Sequence, residues 1–482
     1  MKLKLLTLLF VLSGICSTKA QKMSKLKKAA LQEAAALESQ VTKLSQELWN
    51  YSETALKEAK SAQLLINVLK KEGFQLEENV AGMPTAFVAT FGSGKPVLGI
   101  LAEFDALPGV GNEPVPYKKK RSDGVLSGQG CGHNLFGSAS VNAAIALKRT
   151  MTKRGIKGTI KLFGTPAEET VVGKVYMAKD GVFNGLDAVI EWHPATTNGV
   201  NFGKSLAMNN FEVEFFGQSA HGAADPWNGR SALDGVEMMN YGVNLMREHI
   251  YPTTRIHYVI PNGGGAPNVV PDYAKVWYFV RDTSRANVDK YYQRIQQIAK
   301  GASIATNTTY KVRLITGVHS YNRNEPMMRA MEKNIILVGA PNFTEKEQAW
   351  GKKLQKAAGK KTLGFKTDIK KIPANWRTVL PSGGSTDVAE VSFITPTAGF
   401  GVVTAPFGVP WHSWATSSSH GTSAGYRGAL VATKVLTLTG IDLLTDRKLL
   451  EAAKADFKKS TGGKAYVSPL PEDQKVILPT QK

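Results

Sequence analysis

Cys131 and His133 stand in GQGCGHNLFG, where glycines before, between and after them let the backbone turn sharply and keep space around both side chains. A thiolate beside an imidazole can hold a borderline divalent ion such as Zn²⁺ or Mn²⁺, and the ion would lower the thiol's pKa. A buried thiol next to a hydrogen-bonded histidine is the competing reading of that segment alone. Glu168 and Glu169 follow in GTPAEE, and His193 in EWHP. Adjacent acids can divide the work of hydrolysis: one binds metal, while the other, held just off it, takes a proton from metal-bound water. They can equally be a solvated pair, and a histidine before proline can be a packed turn residue. Thiolate, imidazole and carboxylate offered from three places within about 60 residues is nevertheless a much rarer coincidence than any one of them.

Apolar segments of strand length end where these residues sit: PVLGILAEFD (96–105), GTIKLFGTPAEE (158–169) and LDAVIEWHP (186–194), with a helical stretch at 137–150 between the first two. Strands alternating with helices imply an α/β sheet with parallel strands and a binding crevice at their carboxyl ends. Upstream, residues 25–71 read as two helices, the first carrying Leu37, Val41, Leu44 and Leu48 at steps of three and four, the second running from Ala55 to Gly73. After Gly203 the texture changes to strand, helix, strand, strand, helix, strand, the order of a ferredoxin-like unit. Residues 207–320 are therefore read as an inserted satellite domain. The catalytic domain would comprise residues 21–206 and 321–450, including a Gly/Ser loop at 381–386, and residues 451–482 would form an extension with a surface tail from Val467.

The chain has 482 residues, 43% of them apolar, more than one hydrophobic core usually organises. Its start, MKLKLLTLLFVLSGICSTKAQ, reads as a secretory signal of residues 1–20, with Gln21 the mature start and a periplasmic or secreted destination. The apolar run there is short of the ~20 residues that span a bilayer, and no other segment reads as a span. Lipidation at Cys16 is the alternative; Ile15 directly before it argues against it. Signal removal leaves Cys131 as the sole thiol, without an intramolecular disulfide partner. The formal charge of +21 is spread along the chain, with clusters at 118–121 and 352–371 and no aromatic-interleaved basic stripe, which reads as a solvated surface and not as a nucleic-acid site.

Taken together, AEFDALPGVGN, GQGCGHN, GTPAEE, EWHP and GQSAHGA in this order resemble the co-catalytic metallopeptidase superfamily of aminoacylases and carboxypeptidase-G-type enzymes. They are most similar to its p-aminobenzoyl-glutamate hydrolase B-subunit-like branch, over residues 48–438. The resemblance implies a zinc-peptidase-like α/β fold with a mixed, mainly parallel sheet, a satellite domain used for dimerisation, and two divalent ions, Zn or Mn. It implies that Cys131 bridges the ions, that His133, Glu169 and His193 are terminal ligands, and that Glu168 is the base. A last histidine is expected from WHSWATSSSH, which offers His412 and His420; the family pattern favours His412, with packing beside Trp411 and Trp414 as the bland alternative. Asp105 matches an acid that orients a ligand, although Glu103 or Asp105 could be a buried structural acid. His221 resembles a histidine that polarises the scissile carbonyl, often across a dimer interface; Asn268 and Arg281 match substrate-binding positions, with Arg281 a candidate carboxylate partner. Ser385 and Asp387 also follow the branch pattern, as does Asn134, where many relatives of the group carry Asp.

The implied activity is hydrolysis of an N-acyl amino acid, an aminobenzoyl-glutamate-like amide or a dipeptide by Glu-assisted attack of a metal-bound water. A homodimer, or pairing with a paralogous subunit, would be its assembly. The alternative is a non-catalytic binding or assembly subunit of the same fold, which the intact set Cys131, His133, Glu168, Glu169 and His193 argues against.

Overall fold

The computed structural model describes residues 23–379, 381 and 384–479; the proposed signal with Cys16, and part of the 381–386 loop, lie outside the described residues. Three helices open the described chain, Lys25–Ala35, Glu38–Tyr51 and Ala59–Lys71, where the sequence pattern suggests two. The first run breaks at Ala36 and Leu37. Leu37 turns into the core instead of continuing the helix, and its burial offsets the broken backbone ladder. The last of the three starts four residues later than expected, at the point where the Glu53 carboxylate accepts the Lys60 and Ser61 amides and so satisfies its free N-terminal donors.

An eight-stranded mixed sheet follows, in the order Gln75–Glu78, Phe87–Ser93, Gly158–Gly164, Val97–Ala102, Ala188–Ala195, Thr397–Val403, Asn198–Val200, Ile369–Lys370. Its four central strands, from Gly158–Gly164 to Thr397–Val403, are mutually parallel, and antiparallel pairings flank them. Two nearly fully buried helices, His133–Arg154 and Ser423–Thr445, pack on each other and on the central strands. The second corrects the reading that nothing beyond the N-terminus is apolar and long enough to span a membrane. Its length and hydropathy suffice, but 72% of its most apolar window is buried inside the protein, so the same composition serves a core helix.

Residues 207–318 build a second sheet, with four antiparallel strands in the order Thr309–Val318, Ala207–Phe216, Tyr273–Asp282, Arg255–Asn262. The helices Ala232–Met246 and Arg285–Ala305 lie on it, and their apolar stripes bury Phe211, Phe215, Val236, Met239, Tyr278 and Ile295 in a core separate from that of the large sheet. The opposite side of Ala232–Met246 leaves Met238, Tyr241 and Leu245 exposed, and the edge strand Arg255–Asn262 exposes Val259 and Ile260. At the other end of the chain, a helix capped by Asp446 spans Arg447–Thr461 and so runs across position 450, where the sequence reading places a boundary. The segment beyond it is pinned: Leu470 is buried, and the Gln474 amide donates to the Leu314 carbonyl and the Tyr176 hydroxyl.

Two glycines report on how tightly the elements fit. A Cβ at Gly399 would stand 1.3 Å from Glu191 Oε1 on the neighbouring strand, whereas Gly301 on the Arg285–Ala305 helix has nothing within 4 Å. Gly399→Ala is expected to cost on the order of 1–3 kcal/mol from overpacking. Gly301→Ala should add about 1 kcal/mol from helix propensity. Urea unfolding monitored by circular dichroism measures both.

Candidate metal centre

Each candidate ligand is delivered by an element end. Gly132, at φ 83°, turns the chain so that Cys131 closes a loop while His133 opens the long helix. A Cβ at Gly132 would meet His420 and Pro194 at 2.9 Å, so glycine is required there by both conformation and space. Glu168 and Glu169 lie in a single 3₁₀ turn whose flanking residues, Ala167 and Val171, both take left-handed backbone at φ 59° and 57°. That conformation is costly for a β-branched residue such as Val171 and marks a turn shaped by its surroundings. Part of the restraint is Glu58, fully buried, whose carboxyl accepts the Ala167 amide at 2.9 Å and the Thr85 hydroxyl at 3.0 Å. His193 projects from the strand Ala188–Ala195, and His412, at φ 54°, precedes the short helix Trp414–His420.

These residues converge in two groups that share one atom. Donor atoms of Cys131, His133 and His193 all lie within 4.8 Å of one another, as do those of Cys131, Glu169 and His412. The sulfur thus faces both sets, the arrangement a thiolate bridging two ions needs. Cys131 Sγ is 3.6 Å from His193 Nε2 and accepts the Trp411 indole N–H at 3.3 Å; Glu169 Oε2 is 3.4 Å from His412 Nε2. The His193 Nδ1–H donates to its neighbouring carbonyl at 2.9 Å, leaving the Nε2 lone pair directed at the sulfur. Asp105 orients two members at once: one oxygen is 2.9 Å from His133 Nδ1 and the other accepts the Glu169 amide at 3.0 Å.

Burial makes this cluster costly without a cation. It pushes Glu169 up to about 8, with Asp105 and Glu103 adding to the rise. It pushes the Cys131 thiol up to about 12, with Glu169 adding, and raises Glu168 well above its ordinary value. Both Glu103 oxygens, His133 Nε2 and Glu169 Oε1 are buried without a hydrogen-bond partner. Native interiors rarely leave such groups unpaired, and thiolate, imidazole and carboxylate form a donor set that divalent ions accept. The residues fit a metal pair.

His420 is different. It is fully buried, its Nδ1–H donates to the Gln129 carbonyl at 2.7 Å, and its Nε2 accepts the Thr404 hydroxyl at 3.1 Å. Burial holds it neutral, with its pKa lowered to about 4. Both nitrogens are occupied, so the geometry leaves His412 as the histidine facing the cluster. Asn134 is explained by the same core: its Nδ2 donates to the Ser45 and His420 carbonyls, which an aspartate could not do.

A cavity of about 930 Å³ opens over the cluster, lined by Cys131, Glu168, Glu169, His193 and His412, and farther out by Arg281, Lys204, Lys370 and Ser385. The Arg281 guanidinium stands 3.4 Å from Ser385 Oγ and packs over the Phe279 ring. His221 and Asn268 are not among the lining residues. They are exposed neighbours on the smaller sheet's loops, where the Asn268 carbonyl accepts the Gly222 amide and His221 Nδ1 accepts the Ala223 and Ala224 amides. Sequence reasoning missed Lys174, Glu58 and Trp411 and left Asp387 without a role. Lys174 is fully buried between Asp387 Oδ1 at 2.6 Å and Glu103 Oε1 at 2.8 Å; its only signal was a lysine inside the apolar run VVGKVYMA.

The sequence profile of peptidase family M20/M25/M40 matches residues 99–403. Among characterised proteins, the chain is 34% identical to the B-type component of p-aminobenzoyl-glutamate hydrolase from Escherichia coli (strain K12), covering 90% of this chain and 95% of that one. It is 27% identical to the Xaa-Arg dipeptidase of Homo sapiens, covering 94% and 97%. Among solved structures, a dinuclear metal binding peptidase of the M20 family from Bacillus subtilis shares the fold, with a TM-score of 0.54 at 18% identity over 83% of this chain and 99% of that one.

The two C-terminal histidines should separate cleanly in stability measurements on chelator-treated protein. His412→Ala, at a half-exposed site, is expected to leave the melting temperature nearly unchanged. His420→Ala removes two buried hydrogen bonds and leaves a void, at roughly 2–4 kcal/mol. The contribution of His420 is present above the free imidazole value of about 6.5 and is lost as pH falls toward its folded value. The deficit of His420→Gln relative to wild type should therefore shrink as pH is lowered through that window.

Proposed function

The chain belongs to peptidase family M20/M25/M40 and is an amide-bond hydrolase of that family, and from this premise we propose that it cleaves N-acyl amino acids, aminobenzoyl-glutamate-like amides or dipeptides bearing a free carboxylate. The observation that carries the reading is the division of one buried donor cluster into two sets sharing Cys131. Cys131, His133 and His193 would hold one ion, and Cys131, Glu169 and His412 the other. Bound there, the ions would polarise the scissile carbonyl and make water acidic enough to be deprotonated near neutral pH.

The remaining work falls to the protein. Glu168 lies at the cavity floor beside the donors, its Oε2 3.8 Å from His133 Nε2. Its carboxylate takes a proton from the attacking water as oxygen adds to the carbonyl carbon, and returns that proton to the amine nitrogen as the C–N bond breaks. A carboxyl whose pKa burial has raised, brought back toward neutrality by neighbouring cations, suits both roles. Arg281, with Lys204 and Lys370 nearer the rim, presents positive charge to a substrate carboxylate. Amides next to an amino-acid carboxylate are also what the names of the hydrolase and dipeptidase relatives describe.

His221 lies outside the cavity of its own chain, and the exposed apolar face of Ala232–Met246 with the open edge strand Arg255–Asn262 suits a second copy of this chain. A homodimer through that face would let His221, with Asn268 beside it, serve the partner's site as a carbonyl-polarising group. The N-terminal signal directs this assembly to the periplasm or outside the cell.

Elemental analysis together with a hydrolysis screen over aroyl-glutamates, N-acyl amino acids and dipeptides tests the reading. Two ions per chain are expected. Glu168→Gln should keep both while kcat falls by about 10²–10⁴. Arg281→Met should raise KM for carboxylate substrates about tenfold or more, with little effect on their carboxamide analogues. Bound metal with no turnover of any amide would sink the substrate assignment.

A further inference from the structure

We propose that Glu103 is a sixth protein donor to the metal pair, a carboxylate held against the His133 side of the cluster by the buried ammonium of Lys174. The proposal rests on the two-ion reading and goes beyond its five ligands. Glu103 follows the strand Val97–Ala102, is 1% exposed, and has neither carboxylate oxygen in a hydrogen bond of acceptable geometry. Its Oε2 stands 3.1 Å from His133 Nε2, which is also unpartnered. When the Nδ1–H of His133 is committed to Asp105, Nε2 carries a lone pair, so two electron-rich atoms face each other in a buried space. A cation between them resolves that repulsion. The donor atoms of Glu103, His133 and Glu168 lie within 4.8 Å of one another, which is compatible with a common ion.

The other Glu103 oxygen is fixed from behind. Lys174 Nζ lies 2.8 Å from Oε1 and 2.6 Å from Asp387 Oδ1, while Asp387 Oδ2 accepts the Lys174 amide at 2.8 Å. Asp387 alone balances the charge of Lys174. The negative charge of Glu103 is thus left over for a partner on its open side, and a purely structural ion pair would not need its second oxygen at a ring nitrogen. Lys174 is in this scheme a positioning residue.

The test is metal content after dialysis against graded chelator, joined to the visible spectrum of the Co²⁺-substituted protein, for wild type, Glu103→Gln and Lys174→Met. Glu103→Gln is expected to weaken one of the two ions by about 10–100-fold or more, so that one ion per chain remains where wild type keeps two, and to shift the Co²⁺ bands. Lys174→Met should retain both ions, because a bound ion still compensates Glu103. Two ions at wild-type affinity and an unchanged spectrum in Glu103→Gln would overturn the assignment alone. Equal metal loss in both variants would also overturn it, reducing the pair to support of the fold. If Glu103→Gln does not fold, a crystal structure of the metal-loaded wild type decides: a Glu103 oxygen within about 2.5 Å of an ion supports the proposal, and one beyond about 3.5 Å refutes it. Wild type that binds no ion removes the two-ion reading and this assignment together.

Discussion

Carboxylates buried together repel one another and lose their hydration, and this protein places Glu103, Asp105, Glu168, Glu191 and Asp387 out of water in one region, with the Glu169 side chain beside them. Among the described residues, the buried positive charge facing them is Lys174 and, when protonated, His133. The imbalance shows in the acids themselves: burial drives Glu169 and Glu191 up to about 8, and Asp387 up to about 6 even with Lys174 against it. A cluster of this kind persists because the rest of the molecule holds it in place. Divalent cations are the natural complement to such a surplus of negative donors.

The scaffold supplies that restraint through backbone as much as through packing. Ala167, Val171 and His412 all occupy left-handed conformations, and all three flank a proposed ligand or are one. Strain concentrated at these positions is sustained by contacts that a more relaxed chain would not need. Glu58 holds the Ala167 turn, Asp105 ties His133 to the Glu169 amide, and Asn134 fastens the start of the long helix to two carbonyls. The two buried helices behind the sheet then keep these anchors from shifting relative to one another.

Much of this was legible in the chain. The strand segments ending at Asp105, Glu169 and His193 are visible as apolar runs closed by polar residues, because parallel central strands are buried on both faces and read as continuous hydrophobic stretches. The alternation after Gly203 likewise announced a second sheet. The break at Leu37 was not legible, since no glycine or proline marks it and its cause is a distant core. Lys174 was hidden for the same reason: its partners Glu103 and Asp387 lie 71 and 213 positions away along the chain. Within an apolar run, nothing local says whether a lysine snorkels to water or is neutralised inside.

The sequence by itself determined the donor types, their order and the strands that carry them, because ligand chemistry and strand periodicity are local properties of residue identity. Only the tertiary structure decided between His412 and His420, which are eight positions apart in one short segment. One has both nitrogens satisfied in the core and the other faces Glu169. It also decided that Cys131 stands where both donor sets meet, and that His221 and Asn268 stand away from the cavity of their own chain. These outcomes depend on which hydrogen-bond partners and which volumes the folded chain brings together, and separation along the sequence does not encode distance in space.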